Sequence, residues 1–539
     1  MARTRPEAIE SPRAPLFLLL VPFALGLIAS QLFQLRAALT ALFLILGLLF
    51  FLRRGSVSGT QGKWQVLFFL CALCLGGLYG ARFIERTPQA SVKSLVAPRE
   101  EVFLIEPVQT FLAPPYSSTE IGIGKQIDRD ALLYFSAPAG LRRAELPRGF
   151  QVELYGVKKD LESSIRDPDF RSYLENRGVG GSVDSLRPGR LIGVENLFRA
   201  VFAGLLWESK QALSAGASPL DPATRVYQAL ALGQRTGLDA TQKKAFRDTG
   251  TAHLFAISGL HVGLVGGFLF GFFRILRVRT SIQVSGMLSI LLFYVILTGA
   301  SPSAVRAFLM IAFLVGAKVF QRAYCPASAL AASALVVLLI DPGQLFTLGF
   351  QLSYTVVLSI LVFGVPLTQL LLERTDPEYW LPGQSGSPFH RTRRWLFGSF
   401  SISLAAFLGS SPLIMDHFQI LPISSILLNL LLIFPATLAL LLGFLSLLFG
   451  LLGALWISAP LNAIARIIIE SMTFVVSSAA EISFTVIPIS FANSWTGAVG
   501  TLLFLGGALW VGSRETFRIR HILVPFGTLF LTILLGVIP

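Results

Sequence analysis

Apolar residues run along this chain in blocks of about twenty, the length of a membrane-spanning helix, separated by short polar and basic segments. PLFLLLVPFALGLIASQLF at 15–33, WQVLFFLCALCLGGLYGARFI at 64–84 and SILLNLLLIFPATLALLLGFLSLLFGLLGAL at 425–455 are almost free of charge. A hydrocarbon core of ~30 Å needs roughly 20 helical residues to cross it, so the first two predict one span each and the third more than one. Over the whole chain the pattern predicts roughly ten to eleven spans. Between 85 and 195 the blocks stop. There EVFLIEPV, ALLYFSA and FQVELYGVKK are short, rich in Val, Leu, Phe and Tyr, and bounded by Pro- and Gly-bearing turns, which predicts strands. Their spacing suits a small closed sheet such as an OB-type barrel, with a sandwich as the alternative.

After 196 the period becomes helical. NLFRAVFAGLLWESKQAL predicts an amphipathic helix, lying either along the membrane surface or against the barrel. The expected fold class is a polytopic all-α integral membrane protein with an inserted extracytoplasmic small β-barrel (OB-like) domain. Its expected divisions are a three-span anchor at 1–84, the β domain at 85–195, an amphipathic or interfacial helical linker at 196–252 and a multi-span domain at 253–539. The first apolar run is too long, and too soon followed by others, for a cleaved signal, so it is expected to stay as an anchor.

Composition agrees: 53 % of residues are hydrophobic and the mean hydropathy is +0.68. The net charge of +14 raises the question of nucleic acid, but its location answers most of it. From Glu85 to Arg199 acids and bases nearly balance, whereas the excess sits in MARTRPEAIESPR, RRGSVSGTQGK, RILRVRT, HRTRR and RETFRIRH, beside apolar runs. By the positive-inside rule these segments, the N-terminus included, are expected to be cytoplasmic, which leaves the β region outside. The C-x-x-C of Cys71 and Cys74 lies in an apolar helix without a neighbouring histidine or acid, so packing is expected rather than metal or disulfide chemistry.

Polar residues within apolar segments are costly, and three groups of them stand out. HLFAISGLHVGL, from His253 to Leu264, spends two of the chain's five histidines, a serine and two glycines. On a straight helix His253 and His261 would be about 12 Å apart along the axis, too far to share a metal ion. Ser258 and Gly259 instead predict a kink or unwound turn, tolerated at membrane depth where backbone lines water or is covered by protein. Such breaks present backbone dipoles to a solute; plain interhelical hydrogen bonding is the alternative. In TGASPSAVRAFLM, Pro302 begins a helix that Ser301 or Ser303 can cap, and Arg306 enters its first turns. An arginine near a helix centre costs roughly 2.5–3.5 kcal/mol on insertion scales, so Arg306 is the candidate anion contact unless it snorkels to the interface. The third group is Gln351, Ser353 and Tyr354 in one apolar run and Asn429 before Pro435 in another, which alone would be interhelical glue worth ~0.6 kcal/mol apiece.

LALGQRTGLDATQKKAFRDTGTAHLFAISGLHVGL, TGASPSAVRAFLM, DPGQLFTLGFQLSY and SSILLNLLLIFP occur in the order and spacing of the membrane domain of ComEC-type competence proteins. Upstream, IRDPDFRSYLENRGVGGSV resembles the end of that family's OB-like extracytoplasmic domain. The likeness runs over roughly residues 15–535 and rests most on the H-L-x-A-I-S-G-L-H-V motif. It implies an inner-membrane channel that admits single-stranded DNA into the cytoplasm during natural transformation. Carried over by position, the channel residues are His253, Ser258, Gly259, His261, Pro302, Ser303, Arg306, Gln351, Ser353 and Asn429.

Many relatives continue into a metallo-β-lactamase-like nuclease domain that needs an H-x-H-x-D-H cluster. His253, His261, His390, His417 and His521 form none, so no nuclease activity, metal site or cofactor is expected here. Expected partners are single-stranded DNA, the lipid bilayer, a separate DNA receptor, a cytoplasmic translocation ATPase and a separate nuclease if the system has one. No P-loop is present, so inward movement must draw on another protein or a gradient. In the β region Phe103, Phe111, Tyr116, Tyr134, Phe135, Phe150 and Tyr155 are candidate stacking aromatics, but most alternate as core residues do. Two other classes stay open: a secondary transporter for another anionic polymer or solute, and an intramembrane hydrolase with Ser258 as nucleophile and His261 as base.

Overall fold

A computed structural model describes residues 17–33, scattered positions from 72 to 80, 100–112, 119–127, 131–138 and, apart from short gaps of which 376–387 is the longest, 150–536. Residues 34–70, which hold the middle of the expected three-span anchor and the loop at 53–63, lie outside the described residues, as do Cys71, Cys74 and Tyr116. Helix α1 is Phe17–Phe33 and α2 is Pro168–Glu175. They are followed by α3 (Leu197–Ser214), α4 (Pro222–Leu232) and α5 (Ala240–Asp248). A 3-10 turn at Ala252–Phe255 leads into α6 (Gly259–Ile275), α7 (Thr280–Leu297), α8 (Pro302–Val319) and α9 (Pro326–Ile340). Next, α10 (Leu348–Ser359) runs through a π turn, Ile360–Gly364, into α11 (Val365–Thr375). The remainder is α12 (Pro388–Phe418), α13 (Ser425–Leu451), α14 (Leu455–Ala480), α15 (Thr496–Gly512) and α16 (Leu523–Gly536).

Among the described residues six helical stretches are long and apolar enough to cross a membrane, Thr280–Leu297, Pro302–Val319, Leu348–Glu373, Thr392–Phe418, Ser425–Leu451 and Leu455–Ala480. Four shorter apolar helices, Gly259–Ile275, Pro326–Ile340, Thr496–Gly512 and Ile519–Leu534, accompany them. The chain is thus a multi-pass membrane protein, as the block pattern predicts.

The β region closes on itself. Strands β1 (Glu100–Leu112), β2 (Thr119–Gln126), β3 (Ala131–Pro138), β4 (Phe150–Lys159), β5 (Val179–Ser185) and β6 (Arg190–Val194) lie in the order β1-β2-β3-β5-β4-β6, and β1 also pairs with β4. Five strands therefore form a closed barrel with β6 added outside β4, which decides against the sandwich. Closure depends on β1, whose first half pairs with β4 and whose second half pairs with β2. Register shifts after Pro107 and Thr110 bend it between the two partners, as bulges do. Phe103, Ile105, Leu133, Phe135, Val152, Leu154 and Val183 fill the interior. Phe103 and Phe135 are thus core, Tyr134 stands edge-on to Phe170 at 5.8 Å, and Tyr155 lies 5.1 Å beneath the Arg187 guanidinium.

In the helical part, α4 is enclosed by α3, α13 and α14, with nine of its eleven residues buried. Asn462 and Tyr294 supply polar ties within this core. Asn462 donates to the Ala212 carbonyl at 2.8 Å and to Ala215 at 3.3 Å, and it accepts from the Tyr227 hydroxyl at 3.3 Å. The Tyr294 hydroxyl donates to Ala231 at 2.8 Å, tying α7 to the end of α4. On α3, Leu197, Phe198, Val201 and Trp207 remain exposed, an apolar face suited to lipid. Helix α1 packs Phe23 and Leu27 against α9. Gly26 meets the backbone at Leu73 and Gly76 meets it at Phe23, a contact that a Cβ on either side would block.

Candidate functional site

The helix predicted to break does break. After the 3-10 turn the chain is extended at Ser258 (φ −89°, ψ 168°), and α6 starts at Gly259 with no side chain capping its first N–H groups. His253 is exposed and donates from Nδ1 to the Gly250 carbonyl at 3.1 Å. His261, one turn into α6, is 2 % exposed, and its Nδ1 has no partner. The separation expected of a straight helix no longer applies, because the 3-10 turn and the extended Ser258 interrupt the helix between the two rings. No hydrogen bond among the described residues joins Ser258 to His261.

Helix α8 lies against α6. Ser301 caps it, accepting from the Ala304 N–H at 3.4 Å with Pro302 in the first turn, as the sequence pattern allows. Ser303 has a different partner: it donates to the Ile257 carbonyl at 2.8 Å, holding the broken segment against the start of α8. Arg306, one turn further on, is 2 % exposed, its guanidinium enclosed by protein rather than extended outward as snorkelling requires. One Nη2–H donates to the Gly349 carbonyl at 2.7 Å, and the guanidinium lies 5.8 Å from the Tyr354 ring centre. Nε and Nη1 are buried without a partner. Gly349 is the second residue of α10, whose Thr347 cap accepts from the Phe350 N–H at 3.3 Å.

Three helix N-termini, those of α6, α8 and α10, are therefore linked by Ser303 to Ile257 and by Arg306 to Gly349. Each end carries a partial positive charge and N–H groups left over by the helix ladder. With Arg306 and the unmatched Nδ1 of His261 among them, the group has donors and positive potential and, among the described residues, no ion pair with a carboxylate, a setting for an anion. Gln351 is half-buried on α10 and donates to the Leu345 carbonyl at 3.1 Å. Ser353 is half-buried on the same helix, and Asn429 is half-buried on α13. No hydrogen bond among the described residues ties Ser353 or Asn429 to the Arg306 group.

What residue chemistry left unmarked is the backbone: the carbonyls of Ile257 and Gly349, and the start of α10 at Thr347. T-L-G in GQLFTLGF is a capping signal, but nothing in it names the arginine 43 residues upstream as partner. Among the described residues no group of three or more His, Cys, Asp or Glu side chains is placed to hold a metal.

Residues 230–514 match the sequence model of a family described as "Competence protein". ComE operon protein 3 of Bacillus subtilis (strain 168) is 32 % identical over 255 residues, 46 % of this chain and 30 % of that protein. Recombination protein 2 of Haemophilus influenzae is 30 % identical over 209 residues, 37 % of this chain and 25 % of its own length. An uncharacterized protein of Aquifex aeolicus is 28 % identical over 193 residues, 36 % of this chain and 40 % of that one. The matched region thus spans less than half the length of each of these curated relatives. No solved structure matches the chain.

Proposed function

The chain belongs to the competence protein family, which matches more than half of it, and from that premise we propose that it passes single-stranded DNA across the inner membrane into the cytoplasm during natural transformation. The observation that carries this reading is the meeting of three helix N-termini around the buried Arg306, inside the family-matched region. A polyanion crossing a low-dielectric slab needs donors along its path, yet each phosphate must also be released. Helix ends, hydroxyls and one guanidinium give weak, repeated contacts, whereas a dense row of lysines would hold each phosphate. Because Arg306 and His261 are each 2 % exposed, passage requires the Ser303–Ile257 and Arg306–Gly349 contacts to part.

On this reading the barrel lies on the extracytoplasmic side and shapes the entrance. Two of its candidate aromatics, Phe103 and Phe135, are spent on the core, and Tyr155 lies under the Arg187 guanidinium, which favours a structural role over tight binding of DNA. A DNA receptor, a translocation ATPase and a separate nuclease would be partners, and the chain itself would act as a channel rather than an enzyme.

The test is uptake of labelled DNA into the cytoplasm of a transformable strain carrying the wild-type gene, a deletion, Arg306→Ala or His261→Ala. Deletion is expected to abolish uptake and Arg306→Ala to lower it severely with the protein still present in the membrane. Normal uptake in the deletion strain would replace this reading with transport of another anionic polymer or solute. A covalent adduct trapped on Ser258, lost in Ser258→Ala together with uptake, would replace it with a hydrolase.

A further inference from the structure

A cavity of about 550 Å³ opens where α15 turns into α16, lined by Trp510, Arg514, Arg518, Arg520, His521 and Val524. The sequence offers RETFRIRH only as a basic loop beside a span. Folded, its three arginines are gathered round one hollow, and among the described residues no carboxylate forms an ion pair with any of them. Arg514 is held 4.5 Å over the Trp510 ring. His521 is 6 % exposed and fixed in place: its Nδ1 accepts the Arg518 backbone N–H at 3.1 Å, and Phe517 packs edge-on at 5.6 Å. With Nδ1 accepting, the neutral ring carries its proton on Nε2, a fourth donor on a residue that lines the cavity.

Like charges gathered in one hollow repel unless an anion sits between them, and a guanidinium fork matches phosphate oxygens in pairs. The surroundings decide which kind of anion. Trp510, which lines the hollow, and Leu523, Phe526 and Phe530 further along α16 are all exposed, so the basic hollow lies at the end of two apolar helices that carry exposed apolar side chains. Tryptophan at a helix end marks the headgroup level of a bilayer, and basic pockets between membrane helices accept anionic headgroups. We propose that this pocket binds an anionic phospholipid, its phosphate among Arg514, Arg518, Arg520 and His521 and its acyl chains along the apolar faces of α15 and α16. The site is separate from the Arg306 group and does not depend on what that group transports.

The experiment uses the full purified chain in nanodiscs of phosphatidylcholine doped with phosphatidylglycerol, with retained lipid read by mass spectrometry. Wild type is expected to retain phosphatidylglycerol selectively. Each basic residue near a membrane surface contributes roughly fivefold in affinity, so Arg518→Gln should weaken retention by about that factor and Arg514→Gln/Arg518→Gln/Arg520→Gln should remove the preference. Ser513, exposed on the rim of the hollow, offers a second variant: Ser513→Trp narrows the cavity without altering its charge and should also weaken lipid retention, which guards against a triple variant that fails to fold. Equal retention of both lipids by wild type, or unchanged retention in a folded triple variant, overturns the proposal. If inorganic phosphate binds as tightly as phosphatidylglycerol, the site takes free phosphate and the lipid assignment fails. It fails equally if the triple variant loses binding of a labelled oligothymidylate while its lipid retention is unchanged, for the pocket would then take nucleic acid.

Discussion

Arg306 keeps its charge inside the helical bundle with one carbonyl and one aromatic face as partners, and two of its nitrogens have none. Replacing a poorly matched buried charge by an apolar side chain of similar length is often neutral or stabilising by ~1–4 kcal/mol. Against that gain, the Gly349 carbonyl would lose its donor, at about 1–3 kcal/mol. The two nearly cancel, so Arg306→Met is expected to melt within a few degrees of wild type. A charged hydrogen bond is worth about 1.5–3 kcal/mol, so the same variant should lose tenfold or more in DNA uptake. Thermal melting of the purified protein beside a transformation count checks both halves. A large loss of stability with proportionate loss of uptake would make Arg306 a structural residue. The arginine itself was legible because its insertion cost is so high, whereas its partner was not: a backbone carbonyl has no side-chain signature, and Gly349 is chosen by how α8 and α10 pack.

At the scale of elements, the break before α6 depends on its neighbours. Gly250 has a left-handed backbone (φ +72°), and a Cβ there would stand 2.9 Å from the Pro422 Cβ and the Ser425 Cβ at the start of α13. Left-handed backbone costs a residue with a Cβ about 1–2 kcal/mol before any clash is counted. Gly250→Ala should therefore destabilise the protein by more than about 1 kcal/mol and disturb the carbonyl that accepts from His253. A melting curve checks the first effect; an unchanged melting temperature would mean that the connection relaxes freely. The position of this break was readable from Ser258 and Gly259, residues that weaken a helix in any setting. That Ser303 would clasp it through the Ile257 carbonyl was not readable, because a serine beside a proline reads equally well as a cap.

For the whole molecule, charge bias predicts which side each loop occupies, and the parallel run of α6, α8 and α10 turns that into a statement about the site. If the loop at 274–279 is cytoplasmic, the three N-termini around Arg306 face the other side, toward an incoming strand. With Cys71, Cys74 and Cys325 replaced by serine, single cysteines introduced as Glu162→Cys beside the barrel and Arg279→Cys after α6 are expected to differ in intact cells. The first should react with a membrane-impermeant maleimide, and the second should react only after permeabilisation. The opposite pattern would invert the topology and place the helix ends on the exit side.

By itself the sequence determined the solvent, the kinds of element and the costly polar positions, because hydropathy, strand-forming composition and helix-breaking residues act locally, whatever the chain later packs against. Tertiary structure decided which of those positions meet. It closed five strands into a barrel through the bend in β1, buried α4 behind α3, α13 and α14, joined the ends of α6, α8 and α10 at Arg306, and gathered Arg514, Arg518 and Arg520 round a cavity. Those outcomes rest on contacts between segments far apart in the chain, made largely through backbone carbonyls and shape, and neither leaves a mark in the order of side chains.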